Sequence, residues 1–186
     1  DMQQRHVGVY SDYPLLSQNA QAGNYRFFWL TPDKMCSSTL KFNMTHPDPV
    51  KREIYSTKDF RIALSYAINR QEIIETVYRG SSEPRQVAPW PSSGIVHERL
   101  ATQYLEYDPA KANVMLDGVF PKKDAEGYRL GPDGKRIFIT VEIVDSYTDI
   151  IDSAEMIKKY WADVGIEIAV KPEDRSLWTQ RRDGNE

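Results

Sequence analysis

The sequence predicts an α/β fold centred on a βαβ unit, and three observations carry that expectation. Residues 136–144 form a strand-sized run rich in β-branched side chains. Ile150, Ile151, Ala154, Ile157, Trp161 and Val164 then recur at helical spacing until Gly165. Residues 166–170 form a second short apolar run. Strand, helix and strand joined in this way run parallel and almost always cross over right-handed. Helical segments on either side of this span give a mixed sheet with a βαβ unit flanked by helices. At 186 residues the chain is long enough for a single domain with its own core, taken here as 1–186.

The elements follow in chain order. Residues 13–22 read as a short helix, with Asp12 at the N-cap, Pro14 in the first turn and Gly23 as the stop. Residues 25–30 are aromatic and strand-like. Residues 39–44 alternate apolar Leu40, Phe42 and Met44 with polar Lys41 and Asn43, the pattern of a half-buried strand. The intervening 31–38 is a turn or a cleft loop.

His46-Pro47-Asp48-Pro49 interrupts regular structure. Phe60, Ala63, Leu64, Ala67 and Ile68 then fall on one helical face. Asn69 caps a second helix starting at Arg70, with Glu72 placed for a capping box. Ile73, Ile74, Val77 and Tyr78 continue the apolar stripe until Gly80. Residues 81–94 are rich in Pro, Ser and Gly and read as a long surface loop, a length usually reserved for functional or mobile segments. A helix follows over 97–105. Asp108 caps the next, with Pro109 at its first position and Ala112, Val114, Met115 and Leu116 on its apolar side. Residues 124–135 predict a hairpin turning at Gly131-Pro132-Asp133-Gly134. A last helix covers 175–182.

Composition excludes several function classes. The chain is 40% hydrophobic and 27% charged, an ordinary globular balance. A net charge of -3, with basic and acidic residues intermixed, argues against a nucleic-acid partner. No apolar run approaches the roughly 18 residues of a membrane span. The single cysteine, Cys36, rules out an internal disulfide framework. The opening Asp1-Met2-Gln3-Gln4-Arg5-His6 is not a signal peptide, and a start at Asp1 points to a processed chain or an excised domain.

Motifs for catalysis are weak. His6, His46 and His97 are too scattered for a metal site, and residues 124–135 lack the acidic pattern of a calcium loop. Gly127, Gly131 and Gly134 lack phosphate-loop spacing. Ser37-Ser38 and Ser92-Ser93-Gly94 lack the flanking glycines of a nucleophile elbow. Glu53, Asp59, Glu72 and Glu75 lie among Lys and Arg on helices, the usual make-up of a solvated face. Hence no metal, no cofactor and no enzymatic activity are expected. Trp29 and Trp161 fit apolar faces; Trp90, between two prolines in the long loop, either stacks on a ligand or buries against the body.

Recognition has a better address. Ligands of open α/β sheets bind beyond the carboxyl ends of the strands. Here those ends are Asp145-Ser146-Tyr147-Thr148 and Pro172-Glu173-Asp174-Arg175, brought to one edge by a parallel pairing. Candidate ligand-binding residues are Asp145, Ser146, Tyr147, Asp174 and Arg175, together with Ser37, Ser38 and Trp90 on the loops. Arg175 suits a carboxylate, held by forked hydrogen bonds. The plainer alternative makes Ser146, Thr148 and Asp174 helix caps, a role that does not exclude ligand contact.

An ordered set of fragments adds a family resemblance. They are Tyr13-Pro14-Leu15-Leu16, Phe42-Asn43-Met44-Thr45, Phe60-Arg61-Ile62-Ala63-Leu64-Ser65-Tyr66-Ala67-Ile68-Asn69-Arg70, Tyr107-Asp108-Pro109-Ala110-Lys111-Ala112, Gly127-Tyr128-Arg129-Leu130-Gly131-Pro132-Asp133-Gly134-Lys135, Ala154-Glu155-Met156-Ile157 and Val164-Gly165-Ile166. Together they resemble the extracellular solute-binding protein family 5 of ABC importers, which captures peptides, nickel chelates and some oligosaccharides. The resemblance implies one lobe of a periplasmic-binding-protein-like (type II, cluster C) fold, similar to the second large lobe, with residues 1–9 and 184–186 near the hinge. It places the cleft-facing loops at Asp145–Tyr147 and at Asp174 and Arg175. It implies an oligopeptide or other small solute as ligand, an ABC permease in the membrane as partner, and the missing first lobe of the same protein to close the cleft. The location implied is periplasmic or the extracellular face of the cell membrane, with a lipid anchor on the full-length protein left open.

The chain departs from the family pattern in lacking the first lobe. It also lacks the segment beyond Glu186 that carries an acidic residue for a peptide's amino terminus. Asp174 stands where some relatives have an aromatic. Two other readings stay open: a small α/β hydrolase using Ser37 or Ser93 with a histidine, and a protein-interaction domain without a small ligand, contacting its partner through the flat face and the loop 81–94. A lobe is expected to expose an apolar patch where its partner docked, and to bind ligand weakly when alone.

Overall fold

The computed structural model describes residues 12–28, 38–89, 93–95 and 97–185. The βαβ unit is β1 (Phe138–Val144), α7 (Thr148–Ala162) and β2 (Glu167–Glu173), and the strands pair in parallel from Phe138↔Glu167 to Val144↔Glu173. Before it come α1 (Tyr13–Gln18), α2 (Pro49–Ser56), α3 (Lys58–Tyr66), α4 (Arg70–Thr76), α5 (Glu98–Thr102) and α6 (Pro109–Val119); α8 (Arg175–Asp183) follows. Among the described residues the sheet has two strands.

The core forms between α3, α6, α7 and the inner face of the sheet. Phe60, Ala63, Leu64, Ala67 and Ile68 all bury, as their spacing predicts, and meet Ala112 and Leu116 of α6. Ile157 and Trp161 of α7 reach Ile139 and Ile168 of the strands in the same cluster. Trp161 is 1% exposed and donates its ring N–H to Leu64 O at 3.1 Å, so its polar atom is satisfied on burial. Phe42 stacks on Trp161 with the rings 6.2 Å apart.

Asn69 caps α4 by accepting from Glu72 N at 3.2 Å. The reciprocal half of the box differs, because Glu72 Oε2 accepts from the Asn69 side chain and from the Tyr160 hydroxyl at 2.8 Å. Burial first, and the Glu72 carboxylate second, push the Tyr160 phenol above its ordinary range. Gly80, at φ +71°, stops the stripe and donates to Ile74 O at 2.9 Å. The loop that follows is tied down by Gln86, whose backbone N donates to Ala101 O and whose side chain donates to Ser65 Oγ and Gln103 O.

Several expected elements differ. The first helix ends at Gln18, with turns over 19–24, and the Asp12 side chain makes no cap bond. Residues 25–28 and 39–43 are not strands, because neither has a described ladder partner; Leu40 and Phe42 nonetheless pack on the core. Residues 29, 30 and 31–37 lie outside the described residues, and with them Trp29. Helix α2 had not been foreseen. Asp48 starts it by accepting from Val50 N at 2.8 Å and Lys51 N at 3.3 Å, with Pro49 at N1. Val114 is 72% exposed rather than on the apolar side of α6.

The hairpin is a double turn with antiparallel bridges Lys123↔Arg129 and Leu130↔Arg136. Arg129, a partner in the first of these, is fully buried. Its Nε donates to Val164 O at 2.9 Å, and one terminal nitrogen to Asp117 Oδ1 (2.7 Å) and Phe120 O (2.9 Å). The other donates to Asn113 Oδ1 (2.9 Å) and more weakly to Asn113 O (3.4 Å), so every guanidinium donor has a partner. Its backbone N donates to Gly165 O at 2.7 Å. Gly165 has φ +83°, and a Cβ there would lie 2.7 Å from Gly127 O, so glycine is required twice over. These bonds fasten the hairpin to the start of β2 and so fix the register that presents the far ends of the strands.

Candidate functional site

At those far ends the parallel register sets Val144 level with Glu173. Asp145 N continues the ladder by donating to Glu173 O at 2.9 Å, and Tyr147 N turns back to Val144 O at 3.0 Å. Helices α7 and α8 therefore begin side by side. Asp174 caps α8, its carboxylate accepting from Ser176 N at 2.8 Å and Leu177 N at 3.4 Å. Those amide donors hold the Asp174 carboxyl below its ordinary value. The first turn of α8 then places Arg175 over Tyr147. One guanidinium nitrogen donates to the Tyr147 hydroxyl at 3.0 Å, and the guanidinium carbon lies 5.0 Å from the ring centroid.

This pair is the chemical feature of the edge. Tyr147 is 40% exposed and Arg175 is exposed. Arg175 commits one terminal nitrogen to the phenol, and among the described residues its other N–H donors are left for an anionic or carbonyl oxygen. Asp145 and Ser146 are exposed beside the pair and add acceptor and hydroxyl chemistry. Among the described residues no side-chain hydrogen bond engages either. The cap reading holds for Asp174. It fails for Ser146 and Thr148, because Tyr147 holds the N-cap position of α7 and no side chain caps that helix.

Of the remaining candidates, Ser38 is half-buried, and no hydrogen bond joins it to the Tyr147–Arg175 pair among the described residues. Ser37 and Trp90 lie outside the described residues, as does Ser92. Ser93 Oγ accepts from Ile95 N at 3.3 Å, a local turn contact. His46 Nδ1 accepts from Asp48 N at 3.0 Å, and the ring meets Tyr55 edge-on. Among the described residues no group of three or more His, Cys, Asp or Glu is arranged to hold a metal.

One cluster escaped sequence reading. On the sheet face beneath α8, Glu142 of β1 and Lys171 and Glu173 of β2 meet Arg181 of α8. Arg181 lies 2.6 Å from Glu142 Oε1 and 3.8 Å from Glu173 Oε2, and Lys171 pairs with both carboxylates, at 3.6 Å to Glu142. The Glu173 side chain is 3% exposed. Trp178 adds a ring N–H donated to Glu142 O at 3.2 Å. The available signal was the period of two: Glu142 alternates with Val141 and Ile143, and Lys171 and Glu173 with Val170 and Pro172, which puts all three charges on one face.

Known proteins place this architecture. Residues 2–186 match the model of the bacterial extracellular solute-binding proteins, family 5 Middle. The chain belongs to that family. Among solved structures it is similar to an oligopeptide-binding protein OppA, at 35% identity and TM-score 0.82, covering 100% of this chain and 30% of that one. An oligopeptide ABC transporter periplasmic binding protein from Thermotoga maritima, solved with mannohexaose bound, matches at 22% identity and TM-score 0.66 over 90% of this chain and 32% of its own. The oligopeptide-binding protein AppA from Bacillus subtilis, in complex with a nonapeptide, matches at 23% and 0.63 over 69% of this chain and 26% of its own. The likenesses below 25% show the fold, which is of the periplasmic-binding-protein type that the family resemblance implied. The chain spans about a third or less of each of these proteins. No curated protein matches it.

Proposed function

We propose that this chain is one lobe of the substrate-binding component of an ABC importer, and that it captures an oligopeptide or similar small solute at the edge formed by Asp145, Ser146, Tyr147 and Arg175. The observation that carries the reading is the meeting of Arg175 and Tyr147 at the paired strand ends, 3.0 Å apart. In an open α/β sheet that edge is where ligands lie. The family membership supports the same reading.

The pair offers a rigid aromatic face and a cation with donors to spare, suited to the backbone oxygens or terminal carboxylate of a peptide. Affinity would come from enclosure, as a second lobe closes over the edge and removes water from both. This lobe alone supplies one wall, so the isolated chain binds weakly. Exposed Leu15, Phe27 and Phe28, beside the ring contacts Tyr13–Phe27 and Tyr25–Phe27, fit a face that docks against the remainder of such a protein. Residues 184–186 would lie near the hinge; there Asn185 Nδ2 donates to Thr45 O at 2.9 Å and steadies the end of α8. Delivery to a membrane permease and an extracytoplasmic location, periplasmic or at the outer face of the cell membrane, complete the reading.

The test is mass spectrometry of solutes released from the full-length polypeptide purified without refolding. Retained peptides, lost on Arg175→Ala, are the expected result. Retention of no solute, together with hydrolytic turnover abolished by Ser93→Ala, would overturn it.

A further inference from the structure

We propose that Arg181 and the buried carboxylate of Glu173 position the ligand edge from behind, acting as a latch on α8 without touching solute. The inference rests on the reading of that edge as the binding site. Glu173 is the last residue of β2 and directly precedes Asp174 and Arg175, so whatever fixes its side chain fixes the strand-to-helix turn that aims Arg175. Its side chain is 3% exposed, an expensive place for a carboxylate without paired charge. Among the described residues neither Glu173 oxygen has a hydrogen-bond partner, and what neutralises them there are the ion pairs to Lys171 and Arg181.

Arg181 comes from the far end of α8 and bridges both carboxylates, with Nε also donating to Glu142 Oε2 at 3.3 Å. Trp178, one turn earlier, is tied to the Glu142 carbonyl of the neighbouring strand. Helix α8 is thus held along the sheet by residues 178 and 181, while its first turn carries Arg175 against Tyr147. The apolar contribution on this side is small, since α8 contains no buried residue. Ionic contacts and the indole bond therefore hold the helix against the sheet, in addition to the Asn185–Thr45 tie at its end, and a change at residue 181 is transmitted to residue 175 along a rigid segment. Cutting the Arg181 tie leaves Glu173 buried beside Lys171 alone, and the helix start is expected to move to rehydrate it.

The experiment uses the full-length polypeptide and three variants: Arg181→Met, which keeps the aliphatic stem, Arg181→Lys, which keeps the charge, and Glu173→Gln, which removes the buried charge. Crystal structures of the ligand-free forms read the Arg175–Tyr147 separation. Retention of a synthetic tripeptide pool, quantified by mass spectrometry, reads binding. Arg181→Met is expected to break the Arg175–Tyr147 hydrogen bond and weaken retention about tenfold, with Arg181→Lys restoring most of both. An unchanged Arg175–Tyr147 pair in folded Arg181→Met overturns the proposal, even if thermal stability falls. If Arg181→Met does not fold, Glu173→Gln decides in its place, since it keeps the side-chain volume, removes the charge that Arg181 holds and should free α8 in the same way; an undisturbed pair there overturns the proposal. If the wild type retains no tripeptide, the binding reading fails separately, and the crystallographic comparison still decides the positioning.

Discussion

Arg129 and Arg175 sit at opposite ends of the same βαβ unit and are used in opposite ways. Arg129 is 0% exposed and spends every guanidinium donor on the chain itself, on Val164, Asp117, Phe120 and Asn113. Arg175 is exposed, and among the described residues its guanidinium holds Tyr147 alone. A side chain saturated with internal partners can only support the fold, whereas one with spare donors can recognise something else. The difference separates the end of the unit that fixes register from the end that presents chemistry, and mutation can test it.

The largest effect is expected at the saturated end. Arg129→Met leaves the Val164 and Phe120 carbonyls without donors in the core and should cost about 3–5 kcal/mol, read by urea unfolding. A loss below about 1 kcal/mol would mean that water or relaxation satisfies those groups, and would blur the comparison. Gly165→Ala comes next. A positive φ and a Cβ driven against Gly127 O predict a cost of about 1–3 kcal/mol or more, measured the same way.

At the open end the order inverts. Arg175→Met should change unfolding by about 1 kcal/mol or less, as for exposed ion pairs, while solute retention falls at least about tenfold. If stability and retention fell together, Arg175 would resemble Arg129 and the contrast would fail. The smallest effect is an acid one. Amide donors depress the Asp174 carboxyl in the folded chain, so its contribution is complete above the unfolded value, 3.8, and is lost as pH falls through the lower folded value. Asp174→Asn keeps a capping oxygen that does not titrate. Its thermal midpoint should decline less than the wild type's below about pH 4, by an amount that scanning calorimetry resolves.

Much of this was legible in the chain. The α3 face, the cap at Asn69, the cap at Asp108 with Pro109, and the βαβ unit all follow from short-range rules, because period and capping act within a few residues. Both strand ends were readable as an edge because parallel pairing dictates it. The pairing of Tyr147 with Arg175 was not, since it depends on how two helices begin relative to one another. Leu40 and Phe42 alternate as a strand should, yet form none among the described residues, because alternation reports burial of one face and not the presence of a ladder. Arg129 sat unnoticed within the hairpin motif; nothing local distinguishes a buried arginine from a surface one when its partners lie up to 35 residues away.

That dispersion of partners has a kinetic consequence. The acceptors of Arg129 come from α6 and the turn after it, and from the segment entering β2. A partly assembled chain that joins only one of them would trap a desolvated cation short of acceptors. Such intermediates are penalised, so the residue favours all-or-none closure of the hairpin on the βαβ unit. Its replacement should accelerate unfolding more than it slows folding, because the full set of bonds exists only once the last segment has arrived.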